Sequence, residues 1–443
     1  MKQVLILGAG RSSTSLINYL LEHSQTNGWN ITIGEQDTAL AKKKFPEASV
    51  IDFDIMNQTA AKAEIEKADL VISMIPASLH VHVAKICAEV GRDMLTASYV
   101  SDDIKALSDQ FAEKGNQCIM ELGLDPGIDH MSAMKVLDRI KSEGHRLTAF
   151  ETFTGGLLAA NDLTDNPWKY KFTWNPRNVV MAGTGNVKFI QEDRYKYIPY
   201  HRLFTRTEVI HIPGHGYFEG YANRDSLKYL DLYNLRGIRT LYRGTLRRPG
   251  FCKAWNIFVQ LGATDDTYQM ENVSEMTHRQ FINSFLQYNP HDSVELKLAH
   301  YMNIGLESEE MYKMQWLDLF SEELVGLDKG SPAQILEHIL KKKWTLSPQD
   351  KDMIVMWHKF NYIADGKPKE IQSHMVAVGD DSVNTAMSKT VGLPLAIASK
   401  LVLQGKLKTP GVHIPTIKEI YEPILDELEQ MGFEFSEREV TES

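Results

Sequence analysis

Apolar runs near the N-terminus recur at intervals set by glycine turns and helical spacing. Val4-Leu5-Ile6-Leu7 is continuous, as a strand buried on both faces of a parallel sheet requires. Gly8-Ala9-Gly10-Arg11-Ser12-Ser13 follows, and Leu16, Ile17, Leu20 and Leu21 then repeat at the spacing of one helix face. Ile31 to Ile33, Ala48 to Phe53, Asp69 to Ile75, Asp93 to Tyr99 and Gln117 to Leu122 read as further strands. Helical faces alternate with them, for example Val83, Ile86, Cys87 and Val90, or Ile104, Leu107 and Phe111. This alternation predicts an α/β domain with a doubly wound parallel sheet. The stretch Gly123-Leu124-Asp125-Pro126-Gly127-Ile128-Asp129-His130-Met131 closes the pattern. Its glycines and proline predict an irregular turn that aims Asp125, and a helix follows over Met131 to Ile140.

From Leu147 the texture changes to strand-like alternation and aromatic-rich loops, through Tyr170 to Trp174, Val209 to Tyr217 and Thr240 to Arg247. On a strand, the period of two puts Arg243, Thr245 and Arg247 on one face, a local basic surface. Residues 271–362 read as helical, with Phe281, Leu298, Ile335, Met353 and Trp357 among the apolar positions, and Glu370 to Val378 as a returning strand. Ala386 to Leu401 predicts a buried helix whose start is marked by Thr390, Gly392 and Pro394, and Ile414 to Met431 a last amphipathic one.

Length and charge narrow the function. At 443 residues, two or three domains are expected, and 43% hydrophobic with 24% charged residues is ordinary globular composition. A net charge of -10 argues against nucleic acid or an anionic membrane as partner, so an anionic substrate needs a local basic pocket. The N-terminal apolar run is too short to span a bilayer and no other segment reads as a membrane span. Cys87, Cys118 and Cys252 form no CxxC pair, which fits a reducing compartment and a cytoplasmic protein. His80-Val81-His82 has no cysteine or carboxylate pattern beside it and reads as the polar start of a helix rather than a metal site.

The glycine turn between strand and helix suits a pyrophosphate, because the backbone can approach closely and the helix start offers N–H donors. Ser13 stands where a third glycine is usual, and its small size keeps helix-on-strand packing feasible. Glu35, at the end of the second strand, stands where a carboxylate accepts from a ribose 2′-hydroxyl, so NAD is expected in preference to NADP. Lys42, Lys43 and Lys44 offer the contrary reading of a phosphate contact. Ligands in such sheets lie beyond the carboxyl ends of the strands, which places Ile75, Ala97 to Tyr99, Leu124 and Asp125 at one crevice.

These stretches, taken in order, resemble the glutamate-forming saccharopine dehydrogenase (saccharopine reductase) family. The resemblance rests on the GAGRSS turn, Ser98-Tyr99-Val100-Ser101, GLDPGIDHM, Gly155-Gly156-Leu157, Asn166 to Phe172, Asn223-Arg224-Asp225-Ser226 and Arg243 to Arg247. It implies a variant Rossmann domain over 1–125 completed by roughly 380–443, a mixed α/β substrate domain over 126–270 and 363–380, and a small helical domain over 271–362. It further implies interconversion of saccharopine with L-glutamate and 2-aminoadipate 6-semialdehyde, hydride transfer to or from NAD(P), and a homodimer. By matched position, Gly8, Gly10, Arg11, Ser12, Glu35, Ile75, Ala97 and Leu124 would hold the dinucleotide. Ser98, Tyr99, Asp125, Arg224, Thr245, Leu246 and Arg247 would hold saccharopine, with Asp125 and Tyr99 handling protons. The family's usual cysteine before the Gly155-Gly156 pair is Thr154 here, whose hydroxyl titrates far above a thiol, and the loop continues as Leu158-Ala159-Ala160 instead of a proline-rich stretch.

Two other readings compete. A carboxynorspermidine or carboxyspermidine dehydrogenase would join a semialdehyde to an amine, but its product's ammonium groups call for acidic rather than arginine-rich surroundings. A non-catalytic dinucleotide sensor would bind NADH without turnover.

Overall fold

The computed structural model describes residues 1–159, 166–185 and 187–440. The chain divides into two compact units, the first comprising Met1–Leu147, Tyr362–Lys369 and Met375–Arg438, the second Thr148–Asn361, Glu370–His374 and Glu439–Ser443.

The first unit is built on seven strands. They are β1 (Lys2–Leu7), β2 (Trp29–Glu35), β3 (Ser49–Asp52), β4 (Leu70–Ser73), β5 (Asp93–Leu95), β6 (Gln117–Ile119) and one that arrives much later in the chain, Gly411–His413. All pairings are parallel, and the order from that late strand is β6-β5-β4-β1-β2-β3. Four of the strands read from sequence are shorter at their carboxyl ends than the apolar runs suggested. Residues such as Met74 to Pro76, Thr96 to Tyr99 and Met120 to Leu122 leave the ladder and form the rim where a ligand would lie. Val4, Ile6, Leu7, Ile33 and Leu70 to Ile72 are buried, as continuous apolar strands covered by helices on both faces must be.

The covering helices include Thr14–Asn27, His80–Val90, Ile128–Ser142, Ala386–Leu403 and Lys418–Gln430. The helix Ala386–Leu403 starts earlier than Thr390, because Thr385 caps it by accepting from the backbone N–H of Ser388 at 2.9 Å. Gly392 therefore lies inside the helix, where it allows close approach to Thr14–Asn27: a Cβ there would stand 2.8 Å from the backbone nitrogen of Leu16. Overpacking of that kind costs about 1–3 kcal/mol. Contrary to the sequence reading, this 18-residue helix is long and apolar enough, by length and composition, to cross a membrane; 83% of that window is buried inside the fold. The helix Ile128–Ser142 belongs to the first unit rather than to a substrate domain beginning at 126, since Tyr421 of the last helix donates to Asp138 at 2.9 Å.

In the second unit, β7 (Arg146–Leu158), β8 (Val187–Gln191), β9 (Arg194–Ile198), β10 (Thr207–Ile212), β11 (Gly216–Ala222), β12 (Thr240–Arg247) and β13 (Asp352–Ala364) form a mixed sheet. The order runs β10-β11-β12-β7-β13 and on to the returning strand Lys367–Val378, with β8 paired to β12 and β9. Met353 and Trp357 lie on β13, not on a helix: residues 352–357 are buried without interruption, and a short apolar run buried on both faces carries no period by which strand and helix differ. The helices of 271–351 fall within this unit and not in a third body. Tyr170 to Trp174, expected as strand, forms only an isolated bridge between Phe172 and Thr345.

Candidate active site

The glycine turn has the shape that pyrophosphate binding demands. Gly8 has φ +98° and a Cβ there would lie 2.9 Å from the carbonyl oxygen of Met74, so only glycine fits between β1 and the end of β4. Gly10 is exposed, with nothing within 4 Å of the place a Cβ would take, and it precedes the helical turn Arg11–Ser13. Backbone at this position can approach an anion directly. Glu35 does not aim outward: its Oε2 accepts from the Ala9 N–H at 2.8 Å and its Oε1 from the Gln36 N–H at 2.9 Å. The nearby Lys44 places its Nζ 3.1 Å from the carbonyl oxygen of Gly10, and burial followed by the charge of Arg11 lowers its pKa. Two cations are thus held close together beside the turn, an arrangement that a phosphate would relieve.

Beyond β4, β5 and β6, Ile75 and Ala97 are half-buried, Leu124 is buried, and the loops bring Tyr99 to Asp125. The Tyr99 hydroxyl donates to Oδ1 of Asp125 at 3.0 Å. A third member sits behind them. His80 is buried between Ser73 Oγ, 2.8 Å from its Nδ1, and Ser98 Oγ, 2.7 Å from its Nε2. Burial pushes the His80 pKa down to about 4, so the ring is neutral near pH 7. A neutral imidazole has one donor and one acceptor nitrogen, and two hydroxyls can serve either. The sequence offered His80 as a helix-start residue; its part in orienting Ser98 depends on a contact across 18 positions that no local motif signals.

In the second unit, β12 lies between β11 and β7, and the expected basic surface is instead buried: Arg243 is 5% exposed and Arg247 4%. An interior strand flanked by aromatic side chains covers both guanidinium groups. Arg243 stacks over Tyr229 at 3.9 Å, and Arg247 lies over Tyr170, Phe251 and Tyr221 at 5.1, 5.2 and 5.9 Å. Arg247 donates from Nη1 to the carbonyl of Leu246 at 2.9 Å, while its Nε has no hydrogen-bond partner. Among the described residues no carboxylate lies within ion-pair distance of it. A buried cation so placed fits an anionic ligand group. Thr245 is half-buried, and the Leu246 side chain is in the core, leaving only its backbone to meet a ligand. Arg224 is exposed, at φ +52°, with its carbonyl accepting from Lys188 N–H at 3.1 Å. Thr154 pairs in register with Thr245, and Gly155 is required beside it, since a Cβ would fall 2.6 Å from the Leu246 carbonyl oxygen. The altered loop after Leu158 reaches Ala160, which lies outside the described residues.

A parallel sheet in this order, with a glycine turn opening onto its rim and the hydrogen-bonded Tyr99–Asp125 pair beside it, defines a dinucleotide-binding oxidoreductase fold. Family models described as the saccharopine dehydrogenase NADP binding domain and the saccharopine dehydrogenase C-terminal domain match residues 4–119 and 123–433. The chain belongs to the saccharopine dehydrogenase family. It is 30% identical over 449 residues to saccharopine dehydrogenase [NADP(+), L-glutamate-forming] of Saccharomyces cerevisiae, covering 99% of each chain. It is 35% identical over 452 residues to the mitochondrial alpha-aminoadipic semialdehyde synthase of Rattus norvegicus, covering 98% of this chain and 47% of that one. The chain thus spans about half the length of the mammalian relatives it matches. A structure of apo histidine-tagged saccharopine dehydrogenase (L-Glu forming) from Saccharomyces cerevisiae superposes with a TM-score of 0.90 at 29% identity, covering 100% of both chains.

The preference for NAD read from Glu35 is overturned. The matching family domain is an NADP-binding one and the yeast relatives are named for NADP(+). The physical reason is local: the Glu35 carboxylate is satisfied by two backbone N–H groups, and Arg11 and Lys44 supply positive charge beside it.

Proposed function

We propose that the chain is an NADP-dependent, L-glutamate-forming saccharopine dehydrogenase that interconverts saccharopine with L-glutamate and 2-aminoadipate 6-semialdehyde in lysine metabolism. The observation that carries this reading is Arg247, a buried guanidinium caged by aromatic rings and lacking a carboxylate of its own among the described residues. Saccharopine carries three carboxylates, and a planar guanidinium binds a carboxylate in bidentate fashion. The full-length likeness to the yeast L-glutamate-forming enzyme supports the same assignment.

Gly8, Gly10, Arg11, Ser12, Ile75, Ala97 and Leu124 would hold the dinucleotide, with Arg11 and Lys44 toward its extra phosphate. When bound, NADP supplies hydride acceptance and donation at the nicotinamide. The remaining work falls to the chain. Asp125 accepts the proton of the secondary amine and later serves the water that opens the imine, while Tyr99, hydrogen-bonded to it, holds the carboxylate in place and can return a proton to the departing amine. Ser98, oriented by His80, and Arg224 and Thr245 complete the substrate contacts. Thr154 takes no proton role.

Purified protein mixed with NADP and saccharopine should raise the absorbance of reduced nicotinamide. Absence of signal in both reaction directions would remove the proposal, and NADPH binding without turnover on any amino-acid pair would favour a sensor.

A further inference from the structure

We infer that His130 is a positioning residue that bridges the two backbone segments carrying Tyr99 and Asp125. The inference rests on the proton-handling role proposed for that pair.

Each segment is held by a buried carboxylate from the chain that follows β6. Glu121 Oε1 accepts from the Val100 N–H at 3.0 Å, fixing the residue next to Tyr99. Asp129 Oδ1 accepts from the Gly127 N–H at 2.6 Å, fixing the turn that carries Asp125. The second oxygens of both carboxylates face one imidazole: His130 Nε2 lies 2.7 Å from Glu121 Oε2, and Nδ1 lies 3.8 Å from Asp129 Oδ2. An ionised carboxylate only accepts, so Nε2–H donates to Glu121. The side chains of His130, Asp129 and Glu121 are 0%, 1% and 5% exposed, so water does not compete for the Nε2–H bond to Glu121, and the Asp129 carboxylate adds a close charge contact rather than a hydrogen bond.

The backbone of Glu121 supports the same reading. Its φ is +61°, a left-handed conformation that a non-glycine residue adopts only where its surroundings enforce it. Its N–H donates to the Ser98 carbonyl at 3.0 Å, so the bend that strains it also ties it to the Tyr99 loop. Glu121 and His130 are nine positions apart and Asp129 is adjacent to His130, yet together they connect loops that follow β5 and β6. Loss of the bridge would let Tyr99 and Asp125 drift apart, and misplacement of reacting groups by about 1 Å can lower a rate about a hundredfold.

Three variants and three readouts test it. His130→Leu should lower kcat about a hundredfold while NADPH affinity, followed by protein fluorescence, stays within about twofold. His130→Gln, whose amide nitrogen takes the Nε2 position, should recover at least about tenfold of that loss. Amide exchange should rise together in peptides spanning 96–102 and 123–128 in the Leu variant. His130→Asn, whose amide falls near the Nδ1 position, should loosen 96–102 more than 123–128. Unchanged exchange in both peptides, equal behaviour of the Gln and Asn variants, or exchange rising throughout residues 1–147 with loss of NADPH binding would overturn the bridge. A wild-type protein inactive on saccharopine would refute the proposed function instead, and the exchange pattern would still decide the bridge.

Discussion

Tyr99 donates its hydroxyl hydrogen to Asp125 Oδ1 at 3.0 Å across 26 positions of chain. Tyr99 is 37% exposed and Asp125 half-buried, so the pair sits at the rim rather than in the core. General acid–base groups contribute about 10²–10⁴-fold to a rate. Asp125→Asn should therefore lower kcat with saccharopine by about that range, and Tyr99→Phe by a smaller factor, because it removes one hydrogen bond and leaves the carboxylate. Steady-state kinetics would check this; an Asn variant with wild-type kcat would remove Asp125 from proton transfer.

Arg247 gives a prediction with two signs. Replacing it with Met removes a charge-assisted contact worth about 1.5–3 kcal/mol, which should raise the Michaelis constant for saccharopine by roughly ten- to a hundredfold. Without substrate, the same change removes a buried charge with no ion-pair carboxylate among the described residues and leaves its aromatic cage, so thermal stability should hold or rise. A falling Tm together with an unaltered Michaelis constant would make Arg247 a structural residue only.

His80 links stability to acid. Its folded pKa of about 4 lies below the ordinary 6.5, so the unfolded chain binds the extra proton and stability falls as pH drops through that interval. Between pH 7 and pH 5 the loss from this one group is about 2 kcal/mol. Urea titrations at the two pH values should show a smaller decline in His80→Gln than in the parent chain, and parallel declines would contradict the shift.

Lys44 bears on the cofactor. Its ammonium lies near Gly10 and close enough to Arg11 for the second charge to lower its pKa. Lys44→Gln should raise the Michaelis constant for NADP about tenfold, the size of one charged hydrogen bond, with little effect on NAD. Equal effects on both cofactors would place Lys44 away from the phosphate.

Six of the seven strands of the parallel sheet were legible as short apolar runs ending at turns, a pattern with few structural solutions, whereas Gly411–His413 carries no such run. Residues 352–357 were not, because a strand buried on both faces has no period to distinguish it from a buried helix. The glycine turn, Tyr99 and Asp125 could be placed from sequence because they follow strand ends. Glu35 was placed correctly in position and misread in role: its carboxylate turns inward to backbone donors, a matter of side-chain direction that spacing does not encode. The contacts of Glu121 with Val100 and His130, and of His80 with Ser98, depend on tertiary approach and left no local trace. Arg243, Thr245 and Arg247 follow the strand period, but aromatic rings bury both guanidinium groups that read as a surface.

The late strand Gly411–His413, hydrogen-bonded to β6, sets an order of events during synthesis. A ribosome that has released residues 1–147 has made six strands of the first sheet, with the outer edge of β6 still unpaired and Leu16 lacking the helix that packs on it. Residues 148–361 must emerge before that edge can be closed. The nascent nucleotide-binding half thus waits through the translation of its neighbour with an open strand edge, the kind of template on which foreign strands pair.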